Sequence, residues 1–136
     1  MSILTTPKLT TPEFLSPQWQ CLTTKPDTLG ESPFWNPHES RLYWLDIPGQ
    51  RLRRMTVTSD LFAKQVVEDW PLKEEPGCFA PAEQGGWVMA LRSGIYRANV
   101  WGGALTLLAP APYDTSKLRF NDGKCDPEGN FWAGTM

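Results

Sequence analysis

At 136 residues the chain is long enough for one ordinary domain, and a composition 40% hydrophobic and 21% charged is that of a globular protein, not a disordered one. The net charge of −2 argues against a nucleic-acid-binding domain, which usually carries a basic face, and no apolar run approaches the roughly 18 residues of a membrane span. The 7 Trp, 13 Pro and 11 Gly point to short strands and tight turns instead of long helices.

Residues 1–17 are rich in Thr, Pro and Ser without sustained periodicity and read as a loose leader. They show no basic segment followed by an apolar core, so no secretory signal is expected. Trp19 to Thr24 alternates weakly and is a candidate outer strand. In Leu29-Gly30-Glu31-Ser32-Pro33-Phe34-Trp35-Asn36-Pro37, Gly30 and Pro33 exclude a helix. Phe34-Trp35 reads as a short strand closed by the turn pair Asn36-Pro37. Arg41 to Ile47 is a strong strand signal, Pro48-Gly49 a turn, and Arg51 to Met55 the returning strand. The cluster Arg51, Arg53 and Arg54 reads as a solvated outer strand face, with an anion site as the alternative.

The theme then recurs. Gln65 to Trp70 is a candidate strand, Glu75-Pro76-Gly77 a turn, and Cys78 to Pro81 a short inner strand. Trp87 to Leu91 and Ile95 to Ala98 form a hairpin about Ser93-Gly94, and Leu105 to Leu108 adds another strand. Asp126-Pro127, Gly129 and Phe131-Trp132-Ala133 restart the cycle. Pro37, Pro81 and Pro127 mark three units 44 and 46 residues apart, each leading into an aromatic-rich strand with Trp44, Trp87 or Trp132. A period of roughly 40–50 residues built from short strands is the signature of a β-propeller blade. The expected fold is therefore all-β, a partial propeller of four-stranded antiparallel sheets. Propellers use about 4–8 blades, so the chain is expected to be the N-terminal part of a longer protein, unless other chains complete the ring. An open blade face would be an association liability.

In a propeller, polar groups at the starts of the inner strands converge on the central channel. Glu31 occupies that place in the first unit, and Asn121, beside Arg119 and Asp122, in the third. A carboxylate with amide oxygens suits a hard cation, and Arg119 suits an anionic or hydroxyl-rich ligand. Alternatively Glu31 is a surface carboxylate, Asn121-Asp122-Gly123 a hairpin turn and Arg119 an ordinary strand charge. Other chemistries lack their residues. His38 is the only histidine and lies in an exposed loop, and no Gly-x-Ser-x-Gly elbow or phosphate-cradling loop is present. Asp126 to Asn130 lacks the flanking helices and terminal Glu of an EF-hand. Cys21, Cys78 and Cys125 are odd in number and widely spaced, and read as reduced thiols in a cytoplasmic protein.

The segment Leu29 to Pro37, followed by Arg41 to Gly49, resembles the opening of the regucalcin (senescence marker protein) and gluconolactonase family. Arg119-Phe120-Asn121-Asp122-Gly123-Lys124, with Asp126-Pro127 and Phe131 to Met136, resembles a later motif of the same family in the right order. The resemblance runs from about residue 18 to the end and implies about three of six blades, with 18–136 a propeller part truncated within its third blade. It implies metal-dependent hydrolysis of a sugar lactone, a carboxylic ester. By resemblance Glu31 is a metal ligand, and Arg119 and Asn121 contact substrate. The divalent ion (calcium, zinc, magnesium or manganese) would be held only in a complete propeller. The remaining ligands, an Asn and an Asp that is also the acid/base, and a further substrate-contacting Glu have no counterpart up to Met136. The chain itself is thus expected to be an inactive fragment with no catalytic residue of its own. The alternative is a non-catalytic propeller module binding calcium or another ligand. No nucleic-acid or membrane partner is expected, and the open blade face offers a surface through which copies of the chain could self-associate.

Overall fold

The computed structural model describes residues 21–58 and 66–136. The leader, the start of the candidate strand at Trp19 and Gln65 lie outside the described residues. Cys21 to Thr24, the described part of that candidate, is not in a strand.

Ten strands and no helix are found among the described residues. β1 (Gly30–Asn36), β2 (Arg41–Asp46), β3 (Arg51–Thr56) and β4 (Val67–Pro71) form one antiparallel sheet in chain order. β5 (Pro76–Pro81), β6 (Trp87–Leu91), β7 (Gly94–Ala98) and β8 (Thr106–Pro110) form a second in the same order. β9 (Phe120–Cys125) and β10 (Phe131–Thr135) form a hairpin. These are two complete blades of a β-propeller and the inner hairpin of a third. The Pro and Asn turns set the registers. The Asn36 side-chain oxygen accepts the His38 amide at 3.0 Å, and β2 answers β1 with Phe34 opposite Tyr43.

A strand surface that is apolar on one face must find a neighbour, and here the sheets cover one another in series. Tyr43, Leu45 and Leu52 of the first sheet pack against Phe79, Trp87, Met89 and Leu91 of the second. The Tyr43 and Trp87 rings lie 4.6 Å apart and Phe34 meets Phe79 edge-on at 6.4 Å. Each such ring pair adds about 1 kcal/mol beyond the area it buries. The opposite face of the second sheet presents Cys78 and Ala90 to Phe120, with Phe131 and Ala133 packed alongside. The alternation of β6 explains its burial, since Trp87, Met89 and Leu91 point to one neighbour and Ala90 to the other. The outer face of the hairpin leaves Trp132 65% exposed.

Several local expectations are corrected. Pro76-Gly77 is not a turn but the start of β5, and Asn121-Asp122-Gly123 is not a hairpin turn but the body of β9. The hairpin turn is Asp126 to Asn130, where the Asp126 carboxylate accepts from the Asn130 and Trp132 side chains at 2.9 and 2.8 Å. The arginines are neither a solvated face nor an anion site. Arg51 bridges Asp46, Asp69 and Asp27, and Arg53 pairs with Asp27 and Asp69 while lying over the Trp44 ring. Arg54 pairs with Glu68 and stacks on Trp101 at 4.1 Å.

β5 and β9 approach through glycine. A Cβ on Gly77 would stand 2.5 Å from the Phe120 carbonyl carbon and oxygen and 2.8 Å from the Asn121 nitrogen. A Cβ on Gly123 would stand 2.5 Å from the Cys78 sulfur. No side chain fits between these backbones. Gly77→Ala should therefore destabilise the fold by about 2–3 kcal/mol. Gly30→Ala, whose Cβ would meet only Asp27 at 3.5 Å, serves as the control for lost glycine, and urea midpoints of the two variants decide the matter.

Candidate functional site

β1, β5 and β9 are the first strands of their sheets and lie next to one another. Each begins at the same end of the stack, where a meander enters a new blade. At that end stand Glu31 on β1, Gly77 on β5, and Asn121 on β9 with Arg119 just before it.

Glu31 pairs through its backbone with Leu45 on β2, while its exposed side chain has no hydrogen-bond or ion-pair partner among the described residues. The backbone beside it is unusual, because Ser32 adopts φ 52° inside a strand. The pairing with β2 shifts between Glu31 and Phe34. A bulge of this kind re-aims the side chain next to it. The Ser32 hydroxyl donates to the Gly77 carbonyl at 3.5 Å, and Gly77 lies against the Phe120–Asn121 peptide. A continuous row thus leads from Glu31-Ser32 across Gly77 to Asn121.

Arg119 and Asn121 meet directly. One Arg119 nitrogen, Nη1, donates to the Asn121 side-chain oxygen at 3.0 Å and to the Phe120 carbonyl at 2.9 Å. Both residues are half-buried. The other guanidinium N–H groups of Arg119 and the amide N–H₂ of Asn121 are hydrogen-bond donors not used in this pair. Asp122 is exposed and accepts the Gly123 amide at 2.8 Å.

Among the described residues no three His, Cys, Asp or Glu side chains come together to hold a metal. Glu31 has the right donor chemistry for a hard cation, yet one carboxylate is not a site. These residues alone do not fit a bound metal.

Sequence reasoning missed what supports this end of the stack. Arg92, in the β6–β7 turn, donates to Glu75 and to the carbonyls of Thr115 and Leu118. Gly77 carried a usable signal, a glycine beside a strand-like run, which marks close backbone approach. Arg92 carried none, because its partners lie 17 to 26 residues away.

A nucleophilic role for Cys78 is excluded by its surroundings. Its sulfur is buried against Gly123, and burial, followed by the nearby Asp122 charge, pushes the thiol up from 9.0 to about 12.

Residues 29–136 match the family model described as SMP-30/Gluconolactonase/LRE-like region. Over 117 residues, 86% of this chain, the sequence is 44% identical to a 6-deoxy-6-sulfogluconolactonase of Pseudomonas putida. Over a stretch of the same length it is 34% identical to a regucalcin of Xenopus laevis. The crystal structure of a calcium-binding protein, regucalcin, from Agrobacterium tumefaciens superposes with a TM-score of 0.70 at 28% identity over 85% of this chain. The match spans 38% of the length of each curated relative and 37% of that solved chain.

The thiols give a direct check on the inner-strand packing. At pH 8 iodoacetamide should modify the exposed Cys21 and Cys125 and spare Cys78, with all three reacting in urea; peptide mapping reads the result. The native state holds the Cys78 proton that an unfolded chain releases near 9.0, so stability should fall as pH rises from there towards about 12. Urea midpoints across that alkaline range would show it.

Proposed function

The chain belongs to the SMP-30/gluconolactonase/LRE-like family, and on that premise we propose that it supplies the first part of a metal-dependent sugar lactonase. In this reading residues 18–136 are the N-terminal part of a propeller whose later blades lie outside the 136 residues. The observation that carries it is the Arg119–Asn121 pair, joined at 3.0 Å at the start of β9 and linked through Gly77 to the end of the stack that bears Glu31.

The roles follow from the chemistry of each group. Arg119 and Asn121 donate to the ring and hydroxyl oxygens of the lactone and fix its orientation. Glu31 offers a carboxylate free of any cation partner among the described residues, which later blades would complete as a ligand set for a hard divalent ion. Such an ion, when bound, would polarise an ester carbonyl. The proton-transferring group and the other ligands would come from those later blades, so the 136 residues alone carry no complete machinery. Three free cysteines agree with a reducing, cytoplasmic setting. Among the described residues no helix is long and apolar enough to cross a membrane.

A second reading, a calcium-binding propeller without turnover, draws on the description of the Agrobacterium neighbour as a calcium-binding protein.

The test assays the 136-residue chain and a propeller-length version on a panel of aldonolactones. The panel includes 6-deoxy-6-sulfogluconolactone, the substrate class in the name of the Pseudomonas relative. The short chain should be inactive and the long one active, with activity removed by EDTA and restored by a divalent ion. In the long version Arg119→Ala should lower kcat/KM by about 10- to 100-fold, the worth of a charged hydrogen bond. A long version that binds calcium tightly and turns over no lactone would overturn the lactonase reading in favour of the second. Metal-dependent turnover by the short chain would refute its incompleteness.

A further inference from the structure

Arg119 leaves the backbone at a peptide unit that is gripped from both sides. The Arg119 amide donates to the Met136 carbonyl at 3.1 Å, and the Met136 amide returns a bond to the Arg119 carbonyl at 3.0 Å. The carbonyl of the same peptide unit, that of Leu118, accepts from Arg92 Nη1 at 3.3 Å. The same nitrogen reaches the Thr115 carbonyl at 2.9 Å.

The other edge of the Arg92 guanidinium is committed to Glu75. Nε lies 3.1 Å from its carboxylate and Nη2 closes the pair. The Arg92 amide also donates to the Glu75 carbonyl at 3.0 Å, and the Arg92 carbonyl accepts the Tyr113 hydroxyl at 3.2 Å. Glu75 immediately precedes Pro76-Gly77, the glycine pressed against the Phe120–Asn121 backbone. Tyr113 in turn stacks edge-on with Phe120 at 5.2 Å. A single side chain thus ties together the start of β5, the β6–β7 turn and the loop that delivers Arg119.

We infer that Arg92 is a positioning residue for the Arg119–Asn121 pair, setting the peptide plane from which Arg119 reaches the ligand. This rests on the lactonase reading for its catalytic meaning, not for its geometry. The planar fork matters. A lysine could keep the charge towards Glu75 but could not also hold two carbonyls on the opposite edge.

The test has two arms. In the 136-residue chain, amide hydrogen exchange read by NMR should quicken by about tenfold at Arg119 in Arg92→Gln and Arg92→Lys, the cost of one lost hydrogen bond. The amides of Met89 and Ala90, deep in the second sheet, should not change. In the propeller-length protein the same variants should raise KM for an aldonolactone by about tenfold with kcat nearly kept, and added guanidinium ion should lower the raised KM of Arg92→Ala. Simple loss of folded protein would instead lower apparent kcat at constant KM. That outcome, or unchanged exchange at Arg119, overturns the inference. If the unsubstituted long protein turns over no lactone, the lactonase reading falls while the exchange arm still decides whether Arg92 positions Arg119.

Discussion

The constraint on which the structure depends is that every sheet is too thin to bury its own faces. A meander of four short strands satisfies its backbone hydrogen bonds internally but leaves two faces to be covered. The second sheet solves this fully, with aromatic rings against the first sheet and small groups against the hairpin. The difference in size has a geometric result. Tyr43, Phe79 and Trp87 fill the interval between the first two sheets, whereas Cys78, Ala90 and Gly123 let β5 and β9 close almost to backbone contact. The candidate ligand-holding groups stand beside that closest approach. They are placed by the packing of sheets, not by any local loop motif.

The far face of the first sheet meets the same constraint with charge. Trp44 points away from the aromatic interval and is covered by Arg53, and its ring nitrogen donates to Asp27 at 2.6 Å. Asp46 is fully buried there. Burial alone would raise its carboxyl, but the Leu29 amide and the Arg51 guanidinium outweigh that and hold it below the ordinary carboxylate range. Arg51 joins Asp46 to Asp27 and Asp69, so the acidic groups share their cations across the sheet. Among the described residues it is ion pairs that cover Trp44 and Asp46 on this face, whereas the hairpin at the other end of the stack leaves Trp132 open.

The sequence made the blade plan readable because period-2 alternation and Pro or Asn turns are local properties. The repeat through Pro37, Pro81 and Pro127 separates three sheets as expected, although the tryptophans after them do not share a face. Trp87 points back at the first sheet and Trp132 points outward. What was not legible is whatever depends on partners distant in the chain. Pro76-Gly77 has the local chemistry of a turn, but Pro76 pairs with Leu91 on β6 and Gly77 packs on the backbone of β9, more than 40 residues later, so the pair starts a strand. Arg51 and Arg53 looked like part of a solvated face because Asp27 and Asp69, the counter-ions they share, lie 16 to 26 residues away in the chain. Glu31, Arg119 and Asn121 were picked out from strand-start positions and from family resemblance, and the structure links the last two directly. Arg92 is invisible in sequence, since an arginine in a turn is ordinarily a solvated charge.

One feature of the topology reaches beyond the folded state. Every sheet is laid down in strict chain order, each strand pairing with the one made just before it. Contacts within a blade therefore close short loops, and the entropy lost in forming them is small. The first sheet needs nothing from the later chain to form its ladder, and once formed it presents the aromatic surface on which the second can condense. Assembly can follow the direction of synthesis, one blade templating the next. At each stage the growing end is a freshly made sheet face that waits for the segment still to emerge.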